Sequence, residues 1–213
     1  MSRLRLGLHL IRQRLPELQA EAKRQERLSA PRFNLFRILK VDWKEAVTHT
    51  PLIAAWLDPE GTHGQGFLFL KQFLAVAGAR GLLLPSGTCE HFRWRVDTER
   101  PLVGFGCLDI VVACPDLRYL LVIENKVWAG EQPDQLRRYN DWLATQQQRF
   151  ITRQLVFLTP TGRKATTAKD SDYVCLSYEQ DIQRWLTICL REVKAPIVKD
   201  VVRQHLEVIS GWR

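Results

Sequence analysis

The sequence predicts an α/β (α+β) fold, a central mixed β-sheet with an antiparallel meander, flanked by helices. Three observations carry that expectation. Apolar residues recur at helical spacing up to about residue 78 and again after 135; three short runs rich in β-branched and aromatic residues lie between those stretches; and two further short runs follow at 154–159 and 173–176. Helices, a meander, a helix and a strand in that order place a mixed sheet between helices.

Taken in order, Leu4, Leu8, Ile11, Leu15 and Leu18 line one helical face, while Leu4, Leu6, Leu8 and Leu10 also alternate as a strand would. Length favours the helix. Pro16 is expected either to kink it or to begin a second helix running to about Arg27. Asn34 to Leu39 is a short helical or extended join. Asp42 is a good N-cap for a helical stretch from Trp43 to Thr48, and Thr50-Pro51 restarts a helix through Leu57. Asp58 to Gly66 is a turn-rich loop, after which Phe67, Leu70, Phe73 and Leu74 give helical periodicity to about Gly78. The meander comprises His91 to Val96, Phe105 to Cys114 and Tyr119 to Val127. Gln135 to Gln148 reads as a helix, Gln154 to Thr159 and Tyr173 to Leu176 as strands, and Tyr178 to Glu192 and Pro196 to Ser210 as closing helices.

A chain of 213 residues, 46% hydrophobic and 25% charged, suffices for one large domain, or one domain with an appendage, and excludes disorder of its body. The expected division is a basic helical segment over 1–32 and one domain over 33–213. No apolar run approaches the roughly 20 residues that span a bilayer, and arginines interrupt Met1 to Leu10 where a signal peptide needs an unbroken apolar stretch. A cytoplasmic protein without a membrane partner is expected. Five cysteines, with no C-x-x-C pair, argue against a disulfide framework and a zinc knuckle.

The net charge of +8 suits a polyanionic partner such as nucleic acid. It is concentrated. Residues 1–40 carry ten Lys/Arg against Glu17, Glu21 and Glu26, whereas the other 173 carry 21 basic against 20 acidic residues. A helix packed on the core with a solvated basic face, a nucleic-acid contact arm and a membrane-surface helix each account for this segment, and its apolar stripe is also a candidate surface for homo-oligomer formation.

The chemistry concentrates between residues 109 and 126. If the hairpin Leu108 to Lys126 pivots at Asp116-Leu117, Asp109 lies opposite Glu124, and side-chain alternation puts Lys126 on that same face. The neighbours Ile110, Val112 and Ile123 are apolar, so these charges are expected to be buried and to need partners. A hard divalent cation answers that need: Mg²⁺ takes one or two protein carboxylates and leaves positions for water and phosphate oxygen. Asp109 and Glu124 would hold it with the main-chain carbonyl of Asn125, and Lys126 would orient or deprotonate a water and stabilise charge on phosphate. A structural ion pair of Lys126 with either acid uses the same residues. Trp128 continues the Lys126 face and is a candidate for stacking on a base. His49, one turn after Glu45, and His63, in a glycine-rich loop, either approach phosphate or serve capping and structural roles.

Asp109 followed by Glu124-Asn125-Lys126 resembles the core motif of the PD-(D/E)XK nuclease superfamily. The flanks Phe33 to Leu39, Glu45 to His49, Leu57 to Gly66, Gln135-Leu-Arg-Arg-Tyr139 and Phe157 to Gly162 look like the blocks of a bacterial and phage branch of it, so the likeness runs from about Phe33 to about Leu190. The resemblance implies a restriction-endonuclease-like core and a Mg²⁺ (or Mn²⁺) dependent deoxyribonuclease, in a setting of phage defence or mobile elements. It further implies that Glu45 is an additional metal ligand, that Gln135 lies at the site, and that Tyr139 supports it or touches the substrate. The run Gly106-Cys107-Leu108-Asp109 departs from the branch, where Arg is frequent between this Gly and Asp. The alternative function is a catalytically silent nucleic-acid-binding or regulatory module on the same fold.

Overall fold

In the computed structural model, residues 3–30, 32–85, 89–168 and 171–212 are described. The chain divides into two compact units, Met1–Leu35 and Phe36–Arg213. The first holds helix α1 (Arg3–Ser29), which contains Pro16 without ending there. Its side chains at Leu15, Leu18 and Leu28 are exposed.

After the short α2 (Leu35–Ile38), a single π-helical turn (Glu45–His49) in the second unit runs directly into α3 (Thr50–Leu57). Helix α4 (Leu68–Gly78) follows. The strands are β1 (Arg95–Leu102), β2 (Gly106–Cys114) and β3 (Tyr119–Asn125), then, after α5 (Gln135–Thr145), β4 (Thr152–Thr159) and β5 (Val174–Ser177). A second π turn (Tyr178–Ile182) leads into α6 (Gln183–Glu192), and α7 (Pro196–Ser210) closes the described chain.

The sheet order is β1-β2-β3-β4-β5, with β1, β2 and β3 antiparallel and β3, β4 and β5 parallel. This is the mixed sheet with a meander that the sequence predicts. The β2–β3 register pairs Ile110 with Ile123 and Cys114 with Tyr119, as a pivot at Asp116-Leu117 requires. Every residue of β3 is buried because helices cover both faces of the sheet. Ile110, Val112, Leu121 and Ile123 belong to the larger core with α3, α4, α6 and α7, and Val111, Leu120 and Val122 to a second core with Leu136, Tyr139, Trp142 and Leu143 of α5. Two apolar side chains in alternation, one per face, thus fix the strands between two helical layers.

The first strand begins at Arg95, not His91, and runs to Leu102. It is the sheet edge, where solvated residues such as Asp97, Glu99 and Arg100 hide the strand pattern and Pro101 is tolerated. The helix expected from Asp42 begins instead as the π turn at Glu45, with Lys44 at the cap position and no side-chain cap. Downstream, Ser177 does cap the Tyr178 turn, accepting from the N–H groups of Gln180 and Asp181. Ser177→Ala is expected to lower stability by about 0.5–2 kcal/mol, read as a shift in urea midpoint at unchanged slope.

Candidate active site

The C-terminal end of β3 brings the chemistry together. Asp109 leaves the ladder with its carboxylate Oδ2 accepting the Asn125 N–H at 2.8 Å. One residue beyond β3, the Lys126 N–H donates to the Leu158 carbonyl at 2.8 Å, which holds the Glu-Asn-Lys segment against β4. The Lys126 ammonium then stands 2.7 Å from Glu124 Oε1 and 3.6 Å from Glu45 Oε1. Glu45, at the head of the π turn, also accepts the Val127 N–H.

Glu124 is fully buried, and its Oε2 has no hydrogen-bond partner. Burial pushes its carboxyl up to about 8, the Asp109 charge adds to the push, and Lys126 opposes it. Asp109 is likewise raised by burial, against the pull of Lys126 and the Asn125 N–H. For Lys126, burial works to lower it, but Glu124, Asp109 and Glu45 together hold it above the ordinary lysine range. Three acids therefore surround one ammonium, and two of them hold protons more tightly than carboxylates in water. A divalent cation fits this deficit. Hard oxygen donors at Asp109 and Glu124, one oxygen of which is unpartnered, suit Mg²⁺ or Mn²⁺. Among the described residues no three His, Cys, Asp or Glu side chains stand close enough to hold a metal. Glu45 is engaged by Lys126 and by the Val127 N–H, and one or two carboxylates are the usual protein share for Mg²⁺.

The remaining residues singled out from sequence separate into two groups. Gln135 Nε2 meets the Tyr139 hydroxyl at 2.9 Å, and that hydroxyl donates to the Cys107 carbonyl at 2.5 Å. Both side chains are buried. The pair ties α5 to the β2 main chain two residues before Asp109, which matches the supporting one of the two roles the resemblance implies for Tyr139. Trp128 is 60% exposed beside this segment and forms a T-shaped pair with Trp212.

His49 and His63 are corrections to the phosphate-contact expectation. His49 is completely buried, with Nδ1 3.2 Å from His205 Nε2 and Nε2 3.0 Å from the Asp42 carbonyl, so neither ring nitrogen is left for phosphate. Burial lowers it to about 4, which keeps the ring neutral. His63 spends Nε2 on the Asp58 carbonyl and Nδ1 on the Gln65 N–H, inside its own loop and against Phe69.

Three residues, Thr50, Tyr178 and Glu131, had no functional signal in the sequence. The Asn125 side chain, fully buried, donates from Nδ2 to Thr50 Oγ1 and accepts at Oδ1 from the Tyr178 hydroxyl, both at 2.9 Å. Thr50 and Tyr178 read only as helix starts, 75 and 53 residues away. Glu131 ties the loop after β3 to the loop after β4, accepting from Arg163, the Thr166 N–H at 2.8 Å and the Thr167 N–H at 3.0 Å. Burial alone would raise its carboxyl, but these donors hold it down near 2.

A family model for the PD-(D/E)XK nuclease superfamily matches residues 33–207. No curated protein and no solved structure gave a match.

Proposed function

The chain belongs to the PD-(D/E)XK nuclease superfamily, whose nucleases generally use divalent metals, and on that premise we propose that it is a Mg²⁺- or Mn²⁺-dependent deoxyribonuclease. The observation that carries this reading is the Asp109–Glu124 pair around Lys126, with Glu124 fully buried and one of its oxygens left unpartnered. Asp109 and Glu124, with the Asn125 main-chain carbonyl, would hold the ion. When bound, it supplies the positive charge that acidifies water and offsets charge on the phosphate. Lys126, kept protonated by its acids, orients the attacking water and adds a second positive charge toward the phosphate oxygens. Glu45 fixes the Lys126 ammonium and the Val127 N–H, Gln135 and Tyr139 fix the approach of β2, and Trp128 offers a stacking face. The family match begins at residue 33, which supports a division into a basic appendage over 1–32 and a nuclease domain over 33–213.

Purified protein is expected to degrade plasmid and linear DNA in Mg²⁺ or Mn²⁺ and to stop in EDTA, with an RNA substrate run in parallel. Salt-sensitive DNA binding with no divalent-dependent cleavage would replace the proposal by the silent binding module.

A further inference from the structure

Resting on the metal-site reading, we propose that Thr50, Tyr178 and the side chain of Asn125 form a positioning triad that aims the Glu-Asn-Lys segment at Asp109. Asn125 lies between the acid and the lysine of that segment, and all four of its hydrogen-bonding functions bear on the question. The side-chain amide is clamped from two sides, by the Thr50 hydroxyl at 2.9 Å and the Tyr178 hydroxyl at 2.9 Å. The main-chain N–H is spent on Asp109 Oδ2 at 2.8 Å, and the main-chain carbonyl is the one proposed to face the ion.

Such a clamp fixes rotation about the Asn125 backbone. Its donors and acceptor are buried, so water does not replace a lost partner: Asn125 and Tyr178 are fully buried and Thr50 nearly so. The two clamping residues come from separate elements, one from the first residue of α3 and the other from the turn after β5, so three parts of the fold must meet before the segment is set. Tyr178 is itself wedged by Trp212 at 4.9 Å and His49 at 5.9 Å between ring centroids, which leaves its hydroxyl one direction. None of the three side chains need touch the ion, the water or the phosphate. They act through the Asn125 main chain.

The test is Mn²⁺ titration by calorimetry on the full chain. Tyr178→Phe and Thr50→Val, which each remove one hydroxyl at nearly constant shape, are expected to weaken Mn²⁺ binding about 10- to 100-fold, the usual effect of losing a group that orients a ligand. Thr50→Ser keeps the hydroxyl and is expected to restore affinity. Tyr119→Phe is the structural control: it removes the hydroxyl of another buried tyrosine, bonded to the Leu83 carbonyl and the Gln154 amide, from the far end of the same strand, and is expected to leave Mn²⁺ affinity unchanged. Wild-type affinity in both Tyr178→Phe and Thr50→Val, or an equal loss in Tyr119→Phe, overturns the triad while leaving the metal site standing. A wild-type protein that binds no Mn²⁺, or an Asp109→Ala protein that binds it as well as wild type, overturns the site reading and the triad together.

Discussion

Asp109→Asn and Lys126→Met are each expected to cut divalent-dependent DNA cleavage by at least about 10³-fold, yet for opposite reasons that one binding measurement separates. Asp109→Asn keeps an oxygen for the Asn125 N–H, so the local main chain survives, but it removes one of two anionic donors. Mn²⁺ affinity should fall with activity, and raising the metal concentration should recover part of the rate. Lys126→Met removes the positive charge that competes for Glu124 at 2.7 Å and leaves both carboxylates. Mn²⁺ affinity should then hold or tighten, while cleavage stays lost at any metal concentration because the group that orients water is gone. A Lys126→Met protein that cleaves at the wild-type rate would reduce the lysine to a structural counter-ion. Loss of metal binding in Lys126→Met but not Asp109→Asn would reverse the assigned roles.

Much of this site was legible because β-strand periodicity is short-ranged. A pivot at Asp116-Leu117 and a period of two suffice to bring Glu124 and Lys126 to Asp109, and the Ile110–Ile123 and Cys114–Tyr119 pairs follow that register. The helices on both faces were legible from spacing for the same reason. The edge strand was not, since β1 carries no buried face to impose alternation: Asp97, Glu99 and Arg100 are exposed, and a pattern set by burial cannot appear where nothing is buried. The histidines fail differently. Sequence shows that His49 and His63 can bind phosphate, but only the fold shows that their ring nitrogens are already committed to Asp42, His205, Asp58 and Gln65. Thr50 and Tyr178 reach Asn125 across 75 and 53 residues, and no local rule links them. Long-range polar convergence is where reading from spacing stops.

Glu124→Gln is expected to abolish cleavage and at the same time to make the protein more stable near pH 8. The carboxylate sits fully buried beside Asp109, and its Oε2 finds no partner. Burial raises its folded pKa to about 8, above the 4.5 of an ordinary glutamate in the unfolded chain. A group whose folded pKa is raised contributes stability that is fully present below the unfolded pKa and is lost as pH rises through the folded one. The native protein is therefore expected to lose stability between about pH 4.5 and pH 8 on account of Glu124, with Asp109 pulling the same way. Lys126, held above its ordinary range, is protonated throughout that window and keeps its own contribution. Glutamine is neutral at every pH, so the variant should show a flatter profile there and a gain of about 1–3 kcal/mol at its upper end, the range for relieving one poorly satisfied buried group. Lys126 retains Glu45 at 3.6 Å, which limits what the exchange gives up. Urea midpoints measured at intervals from pH 5 to pH 8 decide the matter. A variant that is less stable at pH 8, or whose pH profile parallels wild type, would mean that Lys126 satisfies Glu124 fully and that no charge deficit exists for a cation to fill.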